Sequence, residues 1–541
     1  MTPSGPETSP AGRGTEFRGK RVATNSMIVI VGQVLFTAIG LVTTPVTLSH
    51  VGVVEFGLWT IITSAVGYIT VVDPGFGDMV TRYGARAHLA GDRVLGARLG
   101  SLATLFWLGI GVVFIPLLLW AVPLYVGHLH LHPGLDSVAE NYFYWGYAIT
   151  VAGSLVAIMS SRLTAIGDQW LVTTIDTVTR LVYCAMLLAL LFRGYKLNAL
   201  VVATSAQIAI TFLATCFFVL RRAGALYGNP FRLHGGLVRE VVRFGGWLQL
   251  GGALEALTYE TDPLVIGAVV GVKRATPYGI GQRVARQSTY FAFIAQTSIL
   301  PAISAAYAAN EGLAAIRRMY ERANRMVVLL GCVIGGAVLG MAPVIIAAWF
   351  GRAYLFADGA TCLAVIALMI GLPRPATAAV IMAMGRVGIG VRAQFLAFAI
   401  NLPLTLLLVR PMGMFGVMLA TVIAKLVATA YLLVTFHRLV EGSARELLFS
   451  WLNKLLLAIF MAAGAARLAL GLLPISVVHD RIPALGALAA LGALYVVVFS
   501  VVLRVTRYFK SDDLVWFSQI LPGPIGRVVA RPAVRRLAGT A

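Results

Sequence analysis

The sequence predicts an all-α protein that crosses a membrane about fourteen times, and three observations carry that prediction. Hydrophobic residues make up 59% of the chain and charged residues only 12%, against about 25% charged in soluble domains. The apolar residues fall in runs of about twenty, the length that one helical crossing of a hydrocarbon core needs. The Lys and Arg residues gather mostly at the ends of those runs. The net charge of +21 is therefore read as membrane topology and contact with anionic lipid, not as a nucleic-acid surface.

Taken in order, the first 24 residues are polar, rich in Pro, Gly and Ser, and carry Arg13, Arg18, Lys20 and Arg21. They read as a disordered cytoplasmic tail, and the apolar run behind them is too long for the core of a signal peptide. Candidate spans follow at about 25–48, 53–73, 97–122, 141–161, 174–192 and 198–220, then 244–268, 277–304, 326–350, 359–381, 391–409 and 413–436, then 452–473 and 484–504. Several contain proline, among them Pro45, Pro116, Pro263, Pro301, Pro343 and Pro403. Membrane helices tolerate such kinks where neighbours satisfy the freed backbone. With the N-terminus inside, the inner segments hold 30 Lys and Arg against 7 in the outer loops. That bias predicts both termini in the cytoplasm and an even number of crossings. Cys184, Cys216, Cys332 and Cys362 lie inside apolar runs without metal-ligand spacing, and read as small core residues.

A short repeat organises the spans. Val51-Gly52-Val53, followed by Phe56-Gly57, joins the first two, and Val270-Gly271-Val272, followed by Tyr278-Gly279, joins the seventh and eighth. The division it suggests is a six-helix lobe at 25–220, a basic cytoplasmic linker at 221–243, a second six-helix lobe at 244–436, two further helices within 437–505, and a basic cytoplasmic tail at 506–541. Repeated halves around a site at mid-depth are the common plan of secondary transporters.

The most informative stretch is the hairpin from Phe244 to Ser304, two apolar helices with an expected turn at Val272–Pro277. Inside it lie Glu255, Glu260, Asp262, Arg283 and Arg286. An ionisable group near the bilayer centre costs about 2.5–3.5 kcal/mol on insertion scales, so these five are expected to face a protein-enclosed cavity. Glu255 and Asp262 are seven apart and share a face with Thr258 and Tyr259, while Glu260 points elsewhere. Arg283, Arg286, Gln287 and Tyr290 form one i, i+3, i+4, i+7 stripe. Counting from the expected turn puts Asp262 and Arg283 at similar depth, where they could neutralise each other or serve a ligand. Arg286 lies deeper, and no carboxylate occurs in the sequence between Asp262 and Glu311.

At this point the chain resembles a known family. "SHVGVVEFGLWTII" with "VVDPGFGDMVTRYGARAHLAGDR", "TDPLVIGAVVGVKRATPYGIGQRVA", "LPAISAAYAANEGLAAIRRMYERANR" and "RPMGMFGVMLATVIAK" resemble bacterial oligosaccharide flippases. These form the polysaccharide transport branch of the multidrug/oligosaccharidyl-lipid/polysaccharide (MOP) exporter superfamily, and the resemblance covers about 25–440. It implies two six-helix bundles in a V-shaped MOP/MATE-like fold. It also implies flipping of a polyprenyl-diphosphate-linked oligosaccharide from the cytoplasmic to the periplasmic leaflet by alternating access, in the synthesis of O-antigen, capsule or exopolysaccharide. By motif match, Asp73, Gly75 and Gly77 fall at the end of the family's second helix, a gating element, and Asp262 on its recurrent acid of helix seven. Pro74 within the Asp-x-Gly element and the Glu255/Glu260 pair depart from the family pattern.

An anionic, lipid-linked glycan is met best by cations at depth, because Arg binds phosphate oxygens bidentately. The candidates are Arg283, Arg286 and Lys425, although Lys425 could instead pair with a carboxylate of the seventh helix. Glu255, Glu260 and Asp262 are the cavity acids; coupling to protons or sodium through Glu255 or Asp262 is expected in place of any cofactor. Tyr259, Tyr290 and Trp247 could stack on sugar rings, with packing inside the bundle the competing reading for each. Arg180, four after Asp176, is read as an interfacial pair. Arg374 sits between two prolines. His128, His130 and His132 read as solvated loop residues, and Asn310–Arg325 as a basic surface helix at the headgroups. The expected partners are membrane lipids and polysaccharide polymerase or assembly proteins, with no nucleic acid, in a bacterial inner membrane.

A cation exporter of the same superfamily would favour acids and aromatics over arginines. A polyprenyl-dependent glycosyltransferase or polymerase would need a large catalytic loop, and the longest outer loop here, about 122–140, is too short for a domain. The chain is thus expected not to be an enzyme.

Overall fold

The computed structural model describes residues 28, 32, 35, 37–73, 75–131, 135–232, 235–287, 307, 309, 312–440, 442, 451–474 and 481–509. Within them the regular elements are helical. Eleven helices are long and apolar enough to cross a membrane, and each falls on one of the spans expected from sequence. Of the other three spans, 25–48 and 277–304 are described only in part, and 244–268 falls on a helix ending at Val265 and the π-helical turn after it. The chain divides into two compact units.

The first unit comprises residues up to Glu55, Val72–Gly127 and Leu131–Gln249. It contains α1 (37–51), α3 (Phe76–Leu89), α4 (Arg93–Val113), α5 (Ile115–Gly127), α6 (Asp136–Ala165), α7 (Gln169–Phe192) and α8 (Lys196–Ala223); α2 is taken below. Helix α6, with 30 residues and about 45 Å of length, packs against α3, α4 and α8. Its last turn carries Arg162, 4% exposed, which donates to the carbonyls of Ala225 and Leu226 and so ties the chain after α8 to the bundle. The guanidinium fits because residue 100 is glycine: a Cβ there would come within 2.6 Å of Arg162 Cδ. Arg222 adds an ion pair to Asp168 at 3.8 Å. Helix α4 is capped by Asp92, which accepts from Leu95 N–H at 2.9 Å. Helix α7 carries Asp176 and Arg180 one turn apart, as their spacing predicts. The helix has 24 residues and Arg180 is its twelfth, about 17 Å from either end.

The second unit comprises Phe56–Val71, His128–His130 and everything from Leu250. Helix α2 (Val53–Thr70) thus belongs largely with chain that follows it by two hundred residues, whereas the sequence division kept it in the first lobe. Glycine explains the grouping. A side chain on Gly57 would collide with the carbonyl of Val272, and one on Gly279 would meet Thr60 Oγ1 at 2.8 Å. The repeated Phe56-Gly57 and Tyr278-Gly279 elements therefore cross each other at near backbone contact. Gly52 and Gly271, their partners in the repeat, both have positive φ (90° and 106°) with open space around them.

Helix α9 (Gly235–Val265) runs through Pro263 into a π-helical turn, Ile266–Val270, and α10 (Val272–Gln287) starts directly after Gly271. The expected turn at Val272–Pro277 is therefore helix. One glycine reverses the chain, and Pro277, the sixth residue of α10, interrupts the helical hydrogen-bond ladder one turn in. Helix α11 (Leu313–Trp349) is continuous over 37 residues, so the expected surface helix is, from Leu313 on, its first turns; residues 310 and 311 lie outside the described residues. Ile316 and Tyr320 place the same apolar stripe in a core with Val380, Leu432 and Phe436, which leaves no reason for a break. A 3₁₀ turn (Arg352–Ala357), α12 (Asp358–Gly371) and α13 (Arg374–Ala383) form one span broken at Pro373. Helices α14 (Gly388–Met412) and α15 (Met414–Leu439) are a tight antiparallel pair turning at Gly413. Gly416 leaves no room for a side chain beside the Leu408 carbonyl. Helices α16 (Asn453–Leu472) and α17 (Arg481–Val505) pack on α11 in a core that includes Leu455, Ala462, Leu491 and Tyr495. Polar fastenings hold both ends of this addition. Arg467 makes a two-pronged pair with Asp358, and Arg325 donates to the Tyr508 carbonyl while lying 4.7 Å over its ring.

Candidate functional site

The site is built on α9 from Leu250 onwards, α10, α14 and α15, with α2 from Phe56 beside them, all in the second unit. Asp262 is its centre. It is fully buried, one residue before Pro263 and four before the π turn. Both features loosen the helical ladder, and such bulges recur at functional sites. Its Oδ2 accepts from Thr421 Oγ1 at 2.7 Å and from Tyr278 at 3.4 Å, and Asn401 Nδ2 donates to the same Thr421 oxygen at 2.9 Å. Asp262 Oδ1, Asn401 Oδ1 and Thr405 Oγ1 are buried with no hydrogen-bond partner among the described residues. A buried carboxylate with an unsatisfied oxygen, beside further oxygen acceptors, is an expensive arrangement. It is relieved by a proton on the carboxylate or by a small hard cation, which takes oxygen ligands of this kind.

Sequence counting had put Asp262 level with Arg283. With the turn at Gly271, Asp262 lies nine residues (about 14 Å) above it and Arg283 twelve (about 18 Å) along the next helix. Hydroxyls take up the carboxylate, and the Arg283 guanidinium lies 4.5 Å over the Phe56 ring. Arg286 is exposed, about 22 Å from the turn, and within electrostatic reach of Glu260 and Tyr278. Glu260 faces α2: Ser64 hydrogen-bonds to it, and Gly67 leaves its side chain room.

Glu255 is exposed rather than buried, with one oxygen accepting from Gln394 Nε2 at 2.7 Å. Of the two acids expected to couple, Asp262 is the buried one. Lys425 is 2% exposed, with Nζ 4.1 Å from the centre of the Tyr259 ring and Glu255 within electrostatic reach. That ring covers the ammonium, so Lys425 does not present its charge to a cavity as expected. Tyr259 is engaged as its platform. Tyr290 lies outside the described residues, as do His132 and the side chain of Trp247.

Asp73, Gly75 and Gly77 form a helix start in the first unit. Asp73 Oδ1 accepts from the N–H groups of Gly75 and Phe76, each at 3.1 Å, and Gly75 has φ 85°. Burial outweighs these two bonds and raises the Asp73 pKa above the ordinary aspartate value. Gly77 lets Ser161 approach, its oxygen 3.3 Å from where a Cβ would stand.

Sequence reasoning missed Asn401, Thr405, Thr421, Tyr278 and Gln394. Two signals were available: Asn401 and Thr405, and likewise Thr421 and Lys425, are polar pairs four apart inside apolar runs.

Residues 22–307 match the family described as polysaccharide biosynthesis protein. No curated protein matches the chain. Among solved structures, the lipid II flippase MurJ in an inward closed conformation aligns with a TM-score of 0.67 at 13% identity, covering 88% of this chain and 99% of that one. An inward-facing multidrug resistance MATE transporter of the MOP superfamily aligns at 0.59 and 13%, covering 77% and 98%. The Vibrio cholerae MATE transporter VcmN, in the bent form, aligns at 0.52 and 17%, covering 78% and 97%. These are transporters and flippases, not enzymes, and at these identities the likeness is one of fold.

Proposed function

We propose, for a chain that belongs to the polysaccharide biosynthesis protein family of the MOP exporter superfamily, that it flips a polyprenyl-diphosphate-linked oligosaccharide from the inner to the outer leaflet of a bacterial plasma membrane. The observation that carries this reading is the pair of arginines deep in α10, with Arg286 exposed there. Arg286 is within electrostatic reach of Glu260 and keeps exposed surface, which the oxygens of a second anion could meet. A diphosphate is an anion whose oxygens match the guanidinium fork. An exporter of cationic drugs would gain nothing from it.

Coupling runs, in this reading, through Asp262. With Asn401 and Thr421, and the Val417 carbonyl that also accepts from Thr421 at 3.3 Å, it offers an oxygen-only set that fits a proton or sodium. Binding there would neutralise a carboxylate that otherwise has to be buried charged. The exported glycan feeds surface polysaccharide assembly, where polymerase or assembly proteins take it over.

The test is to delete the gene and extract the lipid-linked glycans. The reading expects one polyprenyl-diphosphate glycan to accumulate on the cytoplasmic leaflet, and restoration of the chain to clear it. An unchanged lipid-linked pool would contradict it.

A further inference from the structure

At one end of the first unit four helices leave an open cleft of ≈ 420 Å³, counting the solvent at its mouth. There α3 ends, α4 begins, and α6 and α8 end. Helices α4, α6 and α8 are long and apolar enough to cross a membrane, so their ends stand at its surface. The cleft floor is apolar, with Val80, Ala165, Ile166 and Ala223. Two glycines shape it. A Cβ on Gly84 would meet that of Ala165 at 3.0 Å, so α3 lies close on α6, whereas one on Gly96 would meet nothing within 4 Å.

The rim is basic: Arg93, Arg162, Arg222 and His88 line it with one acid, Asp92. Arg162 is engaged by the carbonyls after α8, Arg222 pairs with Asp168 at 3.8 Å, and Asp92 caps α4. Arg93 is exposed and makes no side-chain hydrogen bond or ion pair among the described residues. Its Nη1 lies 3.7 Å from where a Cβ on Gly224 would stand, so it reaches from α4 to the cap of α8, two residues past Arg222. Apolar side chains surround this end. Leu89 and Val94 flank the α3–α4 turn and Tyr227 and Phe231 follow α8, all more than half exposed. The chain after α8 is held on α4, where Gly228 N–H donates to Ser101 Oγ at 3.0 Å. Exposed aliphatic and aromatic groups among arginines are the composition of a membrane–water interface.

We propose that this cleft holds the phosphate of an anionic phospholipid, with Arg93 and Arg222 on its oxygens and its glycerol carbons over the apolar floor. The site is separate from the cargo and its coupling. Guanidinium forks match phosphate oxygens. A zwitterionic headgroup brings an ammonium against the same arginines and gains less. A free phosphate satisfies the arginines but leaves the floor and the exposed apolar groups in water. A lipid seated here bridges the ends of α4 and α8 and stabilises the folded chain by mass action.

The full chain, stripped of lipid in detergent, would be titrated with phosphatidylglycerol, phosphatidylcholine and inorganic phosphate, with lipid-bound states resolved by native mass spectrometry. The first phosphatidylglycerol is expected to bind about tenfold more tightly than the first phosphatidylcholine, the worth of one charge-assisted contact. Millimolar inorganic phosphate should not displace it. Arg93→Gln removes charge from the rim, and Gly96→Leu fills the cleft and leaves charge alone; each should bring the two lipids level. Arg93 is exposed and Gly96 adjoins open space, so neither substitution disturbs packing. Arg221→Gln removes the same charge nearby but outside the cleft, from over the Phe217 ring, and should keep the preference. Equal affinity of the wild-type chain for the two lipids would overturn the site. So would a preference that outlasts both cleft variants, or one that falls equally with Arg221→Gln. Displacement by inorganic phosphate would overturn the lipid as the occupant.

Discussion

At the scale of single residues, Asp262 and Asp73 show how differently two aspartates of one chain are used. Asp262 is buried with an orphan oxygen, so it weakens the fold unless a proton or cation joins it. Asp262→Asn replaces the charge with a neutral group of the same shape. It should leave thermal stability unchanged or raise it, while transport loses its dependence on the proton or sodium gradient. Gradient-driven uptake in proteoliposomes checks this, and undiminished dependence would remove Asp262 from coupling. Asp73 does local work, holding two N–H groups at the start of α3. Asp73→Ala should cost about 1 kcal/mol of stability and Asp73→Asn much less, because the amide oxygen still accepts. A melting series on purified variants would show a larger, equal loss for both if the charge itself mattered. Lys425 was visible in the sequence as a cation inside an apolar run, but its cover, the Tyr259 ring, was not. Which aromatic lies over which ammonium depends on how α9 meets α15, and periodicity is silent on that.

At the scale of elements, close helix crossings are set by glycine. Gly57 and Gly279 let α2 and α10 meet at backbone distance, and Gly281 lets α10 lie on Ala360, where a Cβ would stand 2.9 Å from the Ala360 carbonyl oxygen. Gly281→Ala has a backbone, not a flexible side chain, to push aside, so it should cost about 1–3 kcal/mol. A fall in the monodisperse fraction after heating would record it; an unchanged melt would mean that α10 and α12 can part without penalty. The helices themselves were legible, since a run of twenty apolar residues has few other uses in a membrane. Their joins were not. Gly271 performs alone the reversal for which a six-residue turn was expected, and α11 absorbs a basic segment that composition alone assigns to the headgroup layer. In both cases the deciding contact lies on another element.

At the scale of the whole molecule, the two units carry unlike polar chemistry. The second holds exposed arginine on α10 and the buried Asp262 set; the first holds the arginine-rimmed cleft where α4 begins and α8 ends. The sequence revealed the cations because charge is conspicuous among apolar residues. It concealed the oxygen set, whose members Asn401 and Thr421 look like ordinary small polar residues until packing brings them to one carboxylate. The central claim is that Arg286 meets the anionic part of a lipid-linked cargo. Its direct test is the rate at which polyprenyl-diphosphate glycan crosses proteoliposomes holding wild-type, Arg286→Lys or Arg286→Ala chain at equal folded amounts. The account predicts a loss of at least tenfold for Arg286→Ala, with partial retention in Arg286→Lys, in keeping with one lost charge-assisted contact. Wild-type rates in Arg286→Ala would contradict it.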